Sequence, residues 1–195
     1  MKNTFANFSI VLILLIGISV GTAHGAPLAD IQTVDIDNKP HSLANKTPKV
    51  LIFLGQECAI SRRYIPRLNE LFEIATNHGL AFIGVFSDSW STLEKAKNFQ
   101  QEYQVNFPLI MDLDETIAKR LQPTAKPEAF VLTANGDIAY QGRIDDRFFA
   151  LGRLRQVFSQ HDLLNAITAV SNGELPMISN TRTIGCFYGS WEKNR

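Results

Sequence analysis

Two uninterrupted apolar segments, residues 50–54 and 81–86, place the strongest limit on what this chain can fold into. Neither segment alternates apolar with polar side chains, which is expected of strands that are buried on both faces of a parallel sheet. Between them, apolar residues recur at helical spacing over residues 65–75, and residues 77–79 (NHG) predict where the helix ends. The sequence therefore predicts a strand, a helix and a strand in succession.

Further elements are predicted before and after this unit. They are a β-hairpin over residues 31–43, a helix from a cap at Ser91 to Tyr103, a strand at 107–111, a helix at 114–121, a hairpin joining 129–133 to 138–142 through a type I′ turn at Asn135-Gly136, and a closing helix over 148–170. This order predicts an α/β sandwich, with a mixed central sheet flanked by helices, an N-terminal β-hairpin and an irregular C-terminal tail.

The first 25 residues have the pattern of a secretory signal peptide. Lys2 precedes a continuous apolar segment at residues 8–20, and Ala23 and Gly25 fit a small-x-small cleavage site. We therefore expect cleavage after Gly25 and a periplasmic or secreted protein that contacts the membrane only transiently during export. An uncleaved anchor is the alternative, but the apolar segment is shorter than the roughly 20 residues that a spanning helix needs.

Export would leave a domain over residues 26–170 and a tail over residues 171–195. The formal net charge of the whole chain is 0, and loss of Lys2 with the signal peptide leaves it near neutral, so no charge pattern indicates a nucleic-acid partner. Both cysteines, Cys58 and Cys186, lie in the exported part, where an oxidising compartment allows thiols to pair. Two cysteines permit one intramolecular bridge. No cofactor and no metal are predicted.

Cys58 is the candidate nucleophile because the first buried strand ends near Leu54 and a helix begins near Cys58. Free backbone N–H groups and the positive end of the helix dipole stabilise a thiolate at such a position. These settings lower a thiol pKa from about 8.5 to about 3.5–7.5. Arg62 and Arg63 would add positive charge, whereas Glu57 would act as a negative neighbour or as a base for the thiol proton. A structural, half-buried cysteine is the alternative.

Two prolines carry a resemblance to a known superfamily. Pro66 follows Cys58 by eight residues inside the predicted helix, where a proline costs about 3 kcal/mol, and Lys126-Pro127 precedes a predicted strand. In these features the chain resembles the thioredoxin superfamily. More narrowly, in residues 142–146 (GRIDD) among others, it resembles the exported redoxin branch that is related to alkyl hydroperoxide reductase and thiol-specific antioxidant domains and that has a single active-site cysteine.

The resemblance implies a substrate-binding role for two residues. In this superfamily a cis-proline faces the active-site cysteine from the strand opposite it. Lys126-Pro127 is therefore expected to be a cis peptide bond that faces Cys58 and contacts the substrate.

The resemblance also implies how the cysteine would be supported and resolved. Ser61 occupies the position of the second cysteine of a dithiol site, and Ser61 and Arg62 are expected to stabilise the thiolate. A serine hydroxyl cannot attack a mixed disulfide, so Cys186 is the candidate to resolve Cys58. The Gly, Pro and Asn content of the tail is that of a mobile arm that would bring Cys186 to the site.

The favoured function is thiol–disulfide exchange with a thiol- or disulfide-bearing exported protein or with a small thiol. A hydroperoxide reductase is one alternative, although peroxiredoxins usually have Pro, Thr and Arg where this chain has Leu51, Gly55 and Pro127. A redox-inert domain is another, in which a bridge between the two cysteines would close a loop of roughly 130 residues and add several kcal/mol of stability.

Copper delivery is the binding alternative, because soft thiolates suit Cu(I). It would need both cysteines to converge with one of three histidines. These are His41, His78 and His161.

Overall fold

The computed structural model describes residue 28, residues 31–43 and residues 46–188. The predicted signal peptide over residues 1–25 and its cleavage after Gly25 lie outside the described residues. The strands are β1 (Gln32–Val34), β2 (Pro40–Ser42), β3 (Lys49–Phe53), β4 (Ala81–Phe86), β5 (Leu109–Met111), β6 (Ala125–Lys126), β7 (Glu128–Leu132), β8 (Ile138–Gly142), β9 (Phe148–Ala150), β10 (Arg153–Leu154) and β11 (Cys186–Phe187). The helices are α1 (Ala59–Asn77), α2 (Leu93–Tyr103), α3 (Thr116–Leu121) and α4 (Asp162–Ser171).

Five strands form the central sheet, in the order β5-β4-β3-β7-β8. β3, β4 and β5 run parallel, whereas β7 pairs antiparallel with β3, and β8 pairs antiparallel with β7. All five residues of β3 are buried, as its lack of alternation predicts. The predicted α/β sandwich with a mixed sheet is confirmed.

Alternate residues of β3 contact two separate apolar clusters, because successive side chains of a strand point to opposite faces of the sheet. Val50 and Ile52 belong to the cluster that includes the buried residues of α1, α2 and α4. Leu51 and Phe53 belong to the cluster that includes the buried residues of α3. The sheet is therefore covered on both faces.

The N-terminal hairpin of β1 and β2 is confirmed, and Asp35 closes its turn. The Asp35 carboxylate accepts the backbone N–H groups of Asp37 and Lys39, both at 2.9 Å, and it pairs with His41. Burial raises the pKa of Asp35, but these hydrogen bonds and the His41 ring lower it more. The pKa of Asp35 therefore lies below its usual value.

Helix α1 follows β3 and contains Pro66, as predicted. Its buried residues recur every three or four positions, and it ends where the backbone N–H of His78 donates to the carbonyls of Ile74 and Ala75. No helix in the described part of the chain is both long and apolar enough to cross a membrane.

Two predicted local features differ from the structure. The N-cap of α2 is Thr92 and not Ser91, because Thr92 Oγ1 accepts the backbone N–H of Lys95 at 3.2 Å. The hairpin between β7 and β8 is confirmed, but its turn is not type I′. Gly136 has a positive φ of 87°, whereas Asn135 does not have the positive φ that this turn type requires.

The predicted closing helix over residues 148–170 is wrong in its first half. β9 and β10 form a short antiparallel pair there, and Gly152, with a φ of 70°, lies in the turn between them. Leu151 and Val157, two apolar residues of the predicted helix, are 69% and 85% exposed. The helix begins only at Asp162, and its buried face packs against the sheet.

Candidate active site

Cys58 is the N-cap residue of α1, where the chain leaves the buried strand β3. Its Sγ lies 3.5 Å from the backbone nitrogen of Ser61, whose N–H points toward the sulfur. The Cys58 side chain is buried. The predicted position at a helix N-terminus is confirmed, and this position favours a thiolate when the cysteine is reduced.

Cys58 and Cys186 form a disulfide, with their Cα atoms 6.0 Å apart. Cys186 lies in β11, which pairs antiparallel with β6 so that Cys186 is opposite Lys126. The tail is therefore docked across the site, where it brings Cys186 to Cys58.

The peptide bond between Lys126 and Pro127 is cis, as predicted. The carbonyl oxygen of Lys126 lies 3.3 Å from Cys58 Sγ, so the bond faces the cysteine. Both residues are buried in the folded chain. The structure thus brings Lys126, Pro127, Cys58 and Cys186 together.

Ser61 and Arg62, the predicted thiolate-stabilising residues, contact the loop before α1 in different ways. Ser61 is fully buried, and its Oγ accepts the backbone N–H of Gly55 at 3.1 Å, so it is the Ser61 backbone N–H that points to the sulfur. Arg62 Nη2 donates to the carbonyl of Gln56 at 3.1 Å, and its guanidinium lies 5.8 Å from the centre of the Tyr103 ring. The Arg62 side chain therefore braces the loop.

Glu57 precedes the cysteine but forms an ion pair with Lys95 at 2.8 Å. The hydrogen bond from Lys95 and its charge hold the pKa of Glu57 below its usual value. A carboxylate with a lowered pKa is a weaker proton acceptor. Glu57 is therefore poorly suited to be the base for the thiol proton.

Asp88 is a site residue that the sequence does not assign to a role. Its carboxylate pairs with the ammonium of Lys126, and both side chains are almost fully buried. Removing one partner of such a pair leaves an uncompensated buried charge, at a cost of about 3–5 kcal/mol. Asp88 follows β4 at the carboxyl edge of the sheet, where sites of α/β proteins collect, and this position is the signal that could have identified it.

Aromatic side chains surround the Lys126 ammonium. Lys126 Nζ lies 4.5 Å from the centre of the Tyr188 ring and 5.6 Å from that of Trp90. A cavity of about 370 Å³ opens beside the disulfide, and its lining includes Cys58, Cys186, Asp88, Trp90, Lys126 and Phe187. The disulfide is therefore next to a space that a partner can enter.

The tail docks through hydrogen bonds as well as through the disulfide. Thr181 Oγ1 accepts the backbone N–H of Arg143 at 3.0 Å, and its backbone N–H donates to the carbonyl of Gln141. Thr183 Oγ1 donates to the buried carboxylate of Glu128 at 3.1 Å. Residues 179–188, which we call the docked tail, are thus held along their length.

The GRIDD turn at residues 142–146 is a structural element that is largely buried. Asp145 is 1% exposed and accepts a hydrogen bond from Tyr64 Oη at 2.7 Å. Arg143 Nε pairs with Asp162 at the start of α4, also at 2.7 Å. The turn therefore joins α1 and α4 to the sheet.

The three histidines that a copper site would draw on make separate contacts. His41 pairs with Asp35, His78 Nδ1 is 2.8 Å from the carbonyl of Ile74, and His161 contacts the Phe158 ring. Within the described residues, no group of three or more His, Cys, Asp or Glu side chains is arranged to hold a metal ion.

The AhpC/TSA family matches residues 24–141, which is more than half of the chain and includes Cys58, Lys126 and Pro127. The chain belongs to the AhpC/TSA family. The predicted membership of the thioredoxin superfamily and of its redoxin branch is confirmed. The match ends before the docked tail, so Cys186 lies outside the part of the chain that the family defines.

Among curated proteins, the chain is similar to the thiol-disulfide oxidoreductase ResA of Geobacillus kaustophilus (strain HTA426). The two are 24% identical over 119 residues, which is 60% of this chain and 67% of that protein. The ResA of Geobacillus thermodenitrificans (strain NG80-2) matches at the same identity and coverage.

Solved structures share the fold. A hypothetical protein from Sinorhizobium meliloti 1021 superposes with a TM-score of 0.72 at 22% identity, over 85% of this chain and 93% of that one. A thiol:disulfide interchange protein of the thioredoxin family from Chlorobium tepidum TLS superposes with a TM-score of 0.52 at 24% identity, over 62% of this chain and 86% of that one. At these identities the likeness establishes the fold alone.

Proposed function

We propose that this chain is an exported thiol–disulfide oxidoreductase in which Cys58 is the nucleophile and Cys186 is the resolving cysteine. The observation that carries the proposal is the Cys58–Cys186 disulfide, located at the N-terminus of α1. Membership of the AhpC/TSA family and the similarity to two curated thiol-disulfide oxidoreductases support oxidoreductase chemistry.

The proposed exchange begins when the Cys58 thiolate attacks a disulfide of the partner. A bond forms between Cys58 Sγ and one partner sulfur, the partner's own S–S bond breaks, and the second partner sulfur leaves as a thiolate. The backbone N–H of Ser61 and the helix dipole stabilise the attacking thiolate. Because position 61 is a serine, no local thiol can complete the exchange.

Cys186 completes the exchange. Its thiolate attacks Cys58 Sγ, the Cys58–Cys186 disulfide forms, and the remaining partner sulfur leaves as a thiolate that takes a proton from water. The partner has then gained two electrons, and the cysteine pair has lost two. A small thiol or a reduced exported protein restores the two thiols by the same exchange in reverse.

Lys126 and Pro127 are proposed to contact the substrate next to the cysteine. The support is the pairing of β6 with β11, since an extended segment that carries a cysteine already lies opposite Lys126. The ion pair with Asp88 would hold the Lys126 side chain in place during the exchange. Arg62 would act indirectly, by bracing the loop through the carbonyl of Gln56.

Trapping of mixed disulfides tests the proposal. Cys186→Ser is expected to accumulate adducts through Cys58 with exported proteins or small thiols, visible on non-reducing gels and by mass spectrometry, and to slow turnover of a disulfide substrate. The parent chain and the double variant Cys58→Ser/Cys186→Ser are expected to accumulate no such adducts, because one resolves them and the other cannot form them.

Three results would contradict the proposal. Unchanged turnover in Cys186→Ser would mean that an external thiol does the resolving. Retained activity in Cys58→Ser would remove Cys58 as the nucleophile. Faster consumption of a hydroperoxide than of any disulfide by the parent chain would favour the peroxidase alternative.

A further inference from the structure

We infer that the place now occupied by the docked tail is a binding seat for a partner's extended segment in which glycine immediately precedes the reactive cysteine and tyrosine follows it by two residues. The inference rests on the proposed function and adds which substrates that site prefers. The tail's own residues 185–188 (GCFY) are the template, because they already form a disulfide with Cys58.

The residue before the cysteine must be small. A methyl group on Gly185 would lie 2.7 Å from the carbonyl carbon of Lys126 and 3.0 Å from its nitrogen. These atoms belong to the buried backbone beside the cis bond and cannot move aside as a flexible side chain would. The seat therefore discriminates against any side chain at this position.

The second residue after the cysteine has a pocket of its own. The Tyr188 ring packs edge-on against Phe53, with ring centres 6.1 Å apart, and its hydroxyl donates to Ser87 Oγ at 3.1 Å. Burial raises the pKa of Tyr188 to about 12, so the phenol stays protonated and able to donate at physiological pH. The pocket thus provides an aromatic contact, a cation and a hydrogen-bond acceptor for one side chain.

The cation of this pocket is Lys126, which cannot move freely because Asp88 holds its ammonium. Lys126 Nζ lies over the Tyr188 ring at 4.5 Å, and such contacts favour an electron-rich ring. The same residue pairs with β11 through its backbone. Lys126 therefore links recognition of the segment's backbone to recognition of its aromatic side chain.

The binding site does not select the residue that lies between the cysteine and the tyrosine of the segment. Phe187 is 69% exposed and lies opposite Ala125, at the rim of the cavity. A substitution at this position removes little buried surface. It provides the matched control for the two selective positions.

The test uses the reduced, full-length Cys186→Ser chain and synthetic peptides of sequence Thr-Ile-Gly-Cys-Phe-Tyr, activated as mixed disulfides with thionitrobenzoate. The Cys58 thiolate attacks the peptide sulfur, the peptide–aryl disulfide breaks, and the coloured aryl thiolate leaves because it is the better leaving group. The tail occupies the seat to the same extent with every peptide, so ratios of rates report the preference of the seat.

We expect the peptide with Ala in place of Gly to react about tenfold more slowly, because the added methyl overpacks the seat. Replacing Tyr by Ala is expected to slow the reaction about tenfold as well, through loss of the ring contacts and the hydrogen bond. Replacing Phe by Ala is expected to change the rate by less than about twofold.

A cross-test links the preference to Ser87. Replacing the peptide Tyr by Phe is expected to slow the reaction about fivefold with the Cys186→Ser chain and to have no effect when Ser87→Ala is added to it. Equal rates for all peptides would overturn the inference while leaving the proposed function intact, provided that a simple aryl disulfide reacts with Cys58. Failure of the aryl disulfide to react would instead overturn the proposed function.

Discussion

Residues 149–157 and the docked tail at residues 179–188 differ in how they are held to the folded domain, although only the first is rich in large apolar side chains. The first segment is rich in apolar residues at helical spacing, yet Leu151 and Val157 lie in solvent. The tail shows no periodicity, yet Thr181, Thr183 and Tyr188 each have a specific partner in the domain.

The difference shows what fixes a peripheral segment to a small domain. Docking of the tail depends on close backbone approach and on polar groups that are already in place. A methyl group on Gly142 would lie 2.6 Å from the Thr181 carbonyl oxygen, so the tail can lie against β8 only because position 142 has no side chain. Apolar residues without a partner surface contribute little, however regular their spacing.

The largest effect that this comparison predicts is on the free energy of unfolding of two Leu→Ala variants. Leu163→Ala, in the buried face of α4, is expected to lower the free energy of unfolding by about 2–5 kcal/mol because it leaves a cavity. Leu151→Ala, the matched change in the exposed segment, is expected to alter it by less than about 0.5 kcal/mol. Urea unfolding of both variants measures the two values.

A loss for Leu151→Ala as large as that for Leu163→Ala would break the comparison. It would mean that residues 149–157 pack against the domain in solution and contribute to its core.

A smaller effect is expected on the redox equilibrium of the cysteine pair. Gly185→Ala is expected to lower the equilibrium constant for forming the Cys58–Cys186 disulfide against glutathione about tenfold, because poorer docking lowers the effective concentration of Cys186. Gly152→Ala is the control, since no atom lies within 4 Å of an added methyl group there, and the strain from its φ of 70° falls on the turn between β9 and β10 and not on the docked tail. Its equilibrium constant is expected to change less than about twofold.

Differential alkylation across a series of glutathione ratios, followed by mass spectrometry, measures these constants. Equal constants for Gly185→Ala and the parent chain would show that the tail reaches Cys58 without the close fit to Lys126.

Sequence patterns predicted the elements whose apolar residues are either continuous, as in a strand buried on both faces, or spaced as on one face of a helix. The uninterrupted strands β3 and β4, the helix α1 with Pro66, and the position of Cys58 at its N-terminus are examples. The cis bond before Pro127 followed from the resemblance and was confirmed. In these cases the structure that the local sequence favours is also the one that its surroundings in the fold require.

The remaining features depend on contacts between residues far apart in sequence, which no local pattern encodes. Asp88 enters the site because Lys126, 38 residues later, reaches it, and Tyr188 finds Ser87 across 101 residues. The predicted helix over residues 148–170 failed for the converse reason. Its apolar spacing was regular, but Leu151, Leu154 and Val157 lie exposed, with no surface of the domain to bury against.

The redox state of the two cysteines in the native compartment tests the central claim most directly. The chain would be acid-quenched in its own compartment, alkylated and mapped by mass spectrometry, before and after brief exposure of the cells to a thiol reductant. The proposed function predicts both a disulfide-linked and a dithiol population, with the dithiol fraction rising on exposure while the chain stays folded. A Cys58–Cys186 bridge that is complete and unchanged under both conditions would contradict it, and would identify the disulfide as a structural staple.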